Sequence, residues 1–203
     1  MEALILVRHA HAASNVDETV SCVPPGGGLS ELGVEQARAL RDALAGEEIG
    51  LGVATELRRT QETLSLALAG REVPVLVVPN LNEIDFGSFE GGPLSAYRAW
   101  AWTNGPDAEC PGGGESRAGA AARFAAALEA LLARPEHTVL AVSHAIPIRY
   151  VLDAAEGRAP SARVQRVPHA EPHRLERRAV ETAVATLQAW LRAPRFTDTP
   201  FGG

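Results

Sequence analysis

Four short apolar runs, Ala3–Val7, Leu51–Ala54, Val73–Val78 and Thr138–Val142, constrain the fold of this chain more than any other feature. They are rich in Val, Ile and Leu and lack the alternation of a half-solvated strand, which is how strands buried on both faces read. Such strands need a covering layer on each side. Stretches of helical spacing supply it. Ser30 is placed to cap a helix reaching about Ala45, with Ala37, Leu40 and Leu44 on one face. Leu57–Leu68 turns Leu57, Leu64 and Leu68 inward, and Arg117–Ala133 is alanine-rich around Phe124, Leu128, Leu131 and Leu132. A segment near Ile148–Glu156 stops at Gly157, and Glu176–Arg192 carries Val180, Val184, Leu187 and Leu191 on its core face. Strands alternating with helices predict an α/β fold, a three-layer sandwich on a mostly parallel central sheet.

The 203 residues fit one domain, 1–203. The glycine runs Pro24–Gly28 and Pro111–Gly114 read as loops at a site, and the tail from Pro194 to Gly203 is expected to fray. No apolar run approaches the roughly 18 residues that span a bilayer, and Met1-Glu2-Ala3 lacks the basic start of a signal peptide. A cytoplasmic protein without a membrane partner is expected. Cys22 and Cys110 form neither a CxxC pair nor a disulfide framework and read as free thiols. A net charge of −6 argues against nucleic acid as a partner. All 19 cationic side chains are arginine, which removes Schiff-base chemistry and the P-loop lysine. Any anion site must be built from Arg, His and backbone amides.

The first strand ends in Arg8-His9 and the fourth in Ser143-His144, and the carboxyl ends of strands in open α/β sheets form the crevice where ligands bind. Further segments follow in order: Asn15; Leu29-Ser30-Glu31-Leu32-Gly33-Val34-Glu35-Gln36-Ala37; Leu57-Arg58-Arg59-Thr60-Gln61-Glu62-Thr63; Leu81-Asn82-Glu83-Ile84-Asp85-Phe86-Gly87; and Gly114-Glu115-Ser116. From Leu4 to Leu152 this set resembles the histidine phosphatase superfamily in its phosphoglycerate-mutase-like branch. Arg8-His9-Ala10 stands for the family's Arg-His-Gly.

The resemblance implies a phosphoglycerate mutase-like fold and a phosphomonoester hydrolase that needs no cofactor and no metal and acts on a small phosphorylated metabolite. His9 would be the nucleophile, transiently phosphorylated. Arg8, Arg59, His144 and Asn15 would bind the phosphate, the arginines as planar, permanently charged donors and His144 as imidazolium. Glu83 would protonate the leaving alkoxide and then deprotonate water. His9 must attack through a neutral ring nitrogen, and the sequence does not name the group that holds the proton on the other one. Ala10, His11 and Ala12 depart from the family's pattern, the last two at positions that touch substrate.

Other readings compete. His9-Ala10-His11 also resembles the metal-ligand pair of amidohydrolase barrels, but the chain is short for a barrel of about 250 residues and has no lysine to bridge metals. His169–His173 superficially resembles a zinc protease helix, but Pro172 breaks it, so it reads as a surface connection. The segment 91–114 is expected over the site as a lid and specificity element, with Tyr97, Trp100 and Trp102. Its one cation, Arg98, lies with Asp107 and Glu109, which disfavours a 2,3-bisphosphoglycerate-dependent phosphoglycerate mutase as the alternative. A phosphate-binding module without turnover is the alternative outside enzymes, and the reading leaves room for a homodimer.

Overall fold

The computed structural model describes residues 1–196. Strands β1 (Ala3–Arg8), β2 (Leu51–Ala54), β3 (Val75–Val77), β4 (Thr138–Ser143) and β5 (Pro172–Glu176) form one sheet in the order β3-β2-β4-β1-β5. All neighbours are parallel except β1 and β5. Alternate residues of the central strands feed two cores. Ile5, Val7, Leu140 and Val142 pack against Leu40 of α2 (Glu31–Ala43), Leu44 just past its end, and Leu64 of α3 (Arg58–Ala67). Leu4, Leu6, Val139 and Ala141 face α5 (Arg117–Leu132), α6 (Ala145–Ala155) and α7 (Arg177–Leu191). This is the expected three-layer arrangement. Two short helices complete it, α1 (Ala13–Val16) and α4 (Leu94–Ala101). No helix among the described residues is long and apolar enough to cross a membrane.

Four elements differ from expectation. β3 has one partner, β2, so its side chains are exposed instead of buried on both faces. The helix expected near Ile148 begins three residues earlier, at Ala145, because Pro147 falls in its first turn, where a missing N–H costs nothing. His169–His173 is no mere connection: Pro172 opens β5, an edge strand on β1 whose Arg174 and Glu176 face solvent. That strand carries no apolar run, and proline is tolerated at the first residue of an edge. The start of the tail does not fray, since Phe196 is buried against Trp190. Residues 197–203 lie outside the described residues.

Candidate active site

β1 and β4 run parallel in a register that sets Arg8 opposite Ser143, so both strands end at the same level. His9 N–H donates to Ser143 O (2.9 Å), and the rings of His9 and His144 come to rest 5.3 Å apart. Their neighbours fix the tautomers. His9 Nδ1 lies 2.8 Å from its neighbour's carbonyl, Ala10 O, which can only accept, so Nδ1 carries the proton and Nε2 keeps its lone pair. Arg59 Nε donates to that Nε2 at 3.1 Å. Arg59 Nη2 is 3.2 Å from His144 Nδ1, which must therefore accept, leaving His144 Nε2–H for Thr55 Oγ1 at 3.0 Å. Both rings are almost fully buried, and their pKa values lie well below 6.5, through burial first and then the charge of Arg59. In this arrangement His144 accepts from Arg59 and braces it.

Arg59 sits in the first turns of α3, and the motif around it fixes the loop after β1. Thr63 Oγ1 accepts from Ala10 N–H (3.0 Å) and donates to Arg59 O. From α2, Gln36 Oε1 accepts from His11 N–H (2.9 Å), and Ser30 N–H donates to His11 O (3.0 Å). Gly33 is demanded by this contact, because a Cβ there would lie 1.9 Å from His11 O. Gly33→Ala is expected to push α2 off the loop and cost about 1–3 kcal/mol of stability, read as a lower urea midpoint at unchanged m. An unchanged midpoint would mean that the loop yields freely.

Asn15 turns its Oδ1 to Ala12 N–H (3.0 Å), so it braces the loop while lining the cavity. Arg8 donates through Nη1 to Val167 O (2.8 Å), and burial lowers its pKa to about 10. Arg8 Nε and Arg59 Nη1 are buried and meet no hydrogen-bond partner among the described residues. A buried charged donor left unpaired is costly, so two of them beside one imidazole lone pair mark an anion site.

Glu83 faces the same cavity. Burial raises its pKa, against the pull of Ile84 N–H and of Arg59 and Arg8. Its backbone is held by Arg123 of α5, whose guanidinium donates to Asn82 O (2.7 Å) and Glu83 O (2.9 Å) and pairs with Glu115 (2.8 Å). The Gly114-Glu115-Ser116 segment therefore acts on Glu83 from behind, while Ser116 caps α5.

Of the five side chains expected to be catalytic, Arg8, His9, Arg59 and Glu83 line a cavity of about 220 Å³, and His144 stands behind Arg59. Arg58 points away, paired with Glu62 on the surface. The cavity has a second wall that the sequence did not reveal. Residues 162–167, between α6 and β5, line the cavity together with α4 and bring Arg166 to it, so Arg98 is not the only lining cation beyond Arg8, Arg59 and Arg117. Arg117 joins the two walls, donating to Ala101 O and to Ala162 O (2.7 Å). His169 is also new: its Nδ1 bonds His9 O (2.8 Å), and its ring lies 5.4 Å from that of His9 and 5.5 Å from that of His11. Main-chain carbonyls partner both Arg117 and His169, and carbonyls leave no trace in residue identity.

Residues 4–190 match the family model described as "Histidine phosphatase superfamily (branch 1)". The chain is 39% identical over 87 residues to the adenosylcobalamin/alpha-ribazole phosphatase of Escherichia coli strain K12, covering 43% of this chain and 42% of that enzyme. The matched stretch thus spans less than half the length of that relative. A probable phosphoglycerate mutase of Proteus mirabilis is 30% identical over 165 residues, 77% of this chain and 76% of the other. Among solved structures, that of a putative alpha-ribazole-5'-P phosphatase from Escherichia coli K-12 superposes with a TM-score of 0.75 at 28% identity, covering 86% of this chain and 90% of that one.

Proposed function

Because the chain belongs to branch 1 of the histidine phosphatase superfamily, we propose that it is a phosphomonoester hydrolase acting through phosphohistidine on a small phosphorylated metabolite. The proposal takes 1–203 as one catalytic domain with 91–114 as its lid. The observation that carries it is the pair of unpartnered buried donors, Arg8 Nε and Arg59 Nη1, beside a His9 Nε2 kept unprotonated by the carbonyl of Ala10.

The phosphoryl group would sit against these two guanidinium groups, with Asn15 at the rim. Permanent planar cations suit the spread charge of phosphoryl transfer, and alignment contributes much of the rate. His9 Nε2 attacks phosphorus as the P–O bond to the alcohol breaks, and the Glu83 carboxyl passes its proton to the departing alkoxide. The carboxylate left behind then takes a proton from water as that water attacks phosphorus. The N–P bond breaks, inorganic phosphate leaves, and both His9 and Glu83 return to their starting protonation.

The experiment is a panel of phosphate esters, followed by release of inorganic phosphate. The similarity to a probable phosphoglycerate mutase, and Arg166 in the second wall, favour one alternative. A hydrolase releases phosphate steadily without stimulation by 2,3-bisphosphoglycerate. Interconversion of 3- and 2-phosphoglycerate with negligible phosphate release would establish the mutase, and binding without turnover the inactive module. Since Arg8 and Arg59 meet the charge of the phosphate, EDTA should leave the rate unchanged. Activity lost with EDTA and restored by zinc or manganese would return the His9-Ala10-His11 pair to contention as ligands.

A further inference from the structure

The cavity carries more positive charge than one phosphate uses. The chain as a whole stands at −6, yet the lining holds Arg8, Arg59, Arg98, Arg117 and Arg166 against one carboxylate, Glu83. Arg8 and Arg59 flank His9, and Arg117 is spent on two carbonyls. Arg98, from α4, and Arg166, from the opposite wall, remain. Both are exposed, and neither guanidinium has a hydrogen bond or ion pair to any described residue. Some exposed arginines of this chain pair with carboxylates, as Arg41 does with Asp42 and Arg174 with Glu47, and others, such as Arg38 and Arg178, do not; Arg98 and Arg166 differ from these in lining the cavity. Both Arg98 and Arg166 lie near enough to oppose the charge on Arg8. Like charges held around one low-dielectric cleft repel one another and raise the local concentration of anions.

We propose that the leaving alcohol of the natural substrate bears a second anionic group, a carboxylate or a phosphate, held between Arg98 and Arg166 at the mouth of the cavity. The inference rests on the phosphatase reading and narrows its substrate class. It sets the second anion across the cavity from the reacting phosphate, between walls that Arg117 ties together. The apolar side chains of Leu94, Tyr97 and Val164 line the space between and would hold the carbon frame.

The test uses matched esters with frames of two to four carbons, each carrying at its far end a hydroxyl, a carboxylate or a second phosphate. An exposed charge pair is worth up to about fivefold, so two arginines should give an anionic ester an advantage of about tenfold in kcat/KM over the hydroxyl ester. The best far-end group identifies carboxylate or phosphate. In the Arg98→Gln, Arg166→Gln double variant the ratio should fall toward one, and 0.5 M salt should shrink it in the wild type. Equal rates for the three esters, or a ratio unmoved by the double variant, would overturn the inference and leave the phosphatase reading standing. No hydrolysis of any ester would overturn both.

Discussion

Replacing His9 with alanine is expected to lower turnover on the order of 10⁶-fold, the scale of deleting a covalent nucleophile whose binding groups remain. The prediction follows from how completely the site is organised around one nitrogen. Ala10 O holds the Nδ1 proton, Arg59 Nε points at the Nε2 lone pair, and burial with two nearby guanidinium groups keeps the ring neutral. No general base is needed to ready it. Two hydroxyls in the cavity lining, Ser14 and Ser21, could be invoked as nucleophiles. Neither is among the hydroxyls that hydrogen bond His9 or His144, the one that reaches His144 being Thr55. Wild-type protein quenched during turnover of a labelled ester should carry acid-labile, base-stable phosphate on His9, because protonating a phosphoimidazole makes the ring a good leaving group. His9→Ala should carry none and keep a cooperative thermal transition. A label on Ser14 or Ser21, or more than about one percent residual turnover, would assign the chemistry to another group.

What was legible in the sequence follows from which interactions use side chains. The central strands are buried on both faces, so β1, β2 and β4 appear as apolar runs within a residue of their true bounds. β5 lies at an edge with alternate residues in solvent and reads as a polar connection. The grouping of Arg8, His9 and His144 was equally plain, because they stand at the ends of two apolar runs and the parallel register of β1 with β4 brings those ends together. The tautomers were hidden, being set by Ala10 O and by a Thr55 hydroxyl 89 residues from His144. The wall carrying Arg166 was hidden for a different reason. It is an irregular segment with no periodicity, joined to the segment 91–114 by Arg117, which donates to a carbonyl of each, and by Arg163 over the Trp102 ring. The segment 91–114 was expected over the site, and residues 162–167 line the cavity as well.

Glu83→Gln is expected to slow hydrolysis of alkyl phosphates about 10²–10⁴-fold and of aryl phosphates far less. An alkoxide is too basic to leave without a proton, whereas a phenolate leaves nearly unaided, so only the first ester depends on an acid. Glu83 is suited to that part because burial raises its pKa while Ile84 N–H, Arg59 and Arg8 oppose the rise without cancelling it. The sign of the pH dependence follows from two shifts in opposite directions. Attack needs His9 neutral, and its pKa is depressed, so kcat/KM on alkyl esters rises with pH through a point well below 6.5. Leaving-group protonation needs Glu83 protonated, and its pKa is raised, so the rate falls as pH climbs through a value above the ordinary 4.5 of a glutamate. Glutamine cannot titrate, and the falling limb should vanish in Glu83→Gln while the rising limb of His9 stays. If alkyl and aryl esters lost rate equally, or the falling limb persisted in the variant, the proton would have to come from elsewhere. Asp85, two residues away, is bonded to Gly87 N–H (2.9 Å) and lies outside the cavity lining, so Asp85→Asn should leave the falling limb in place.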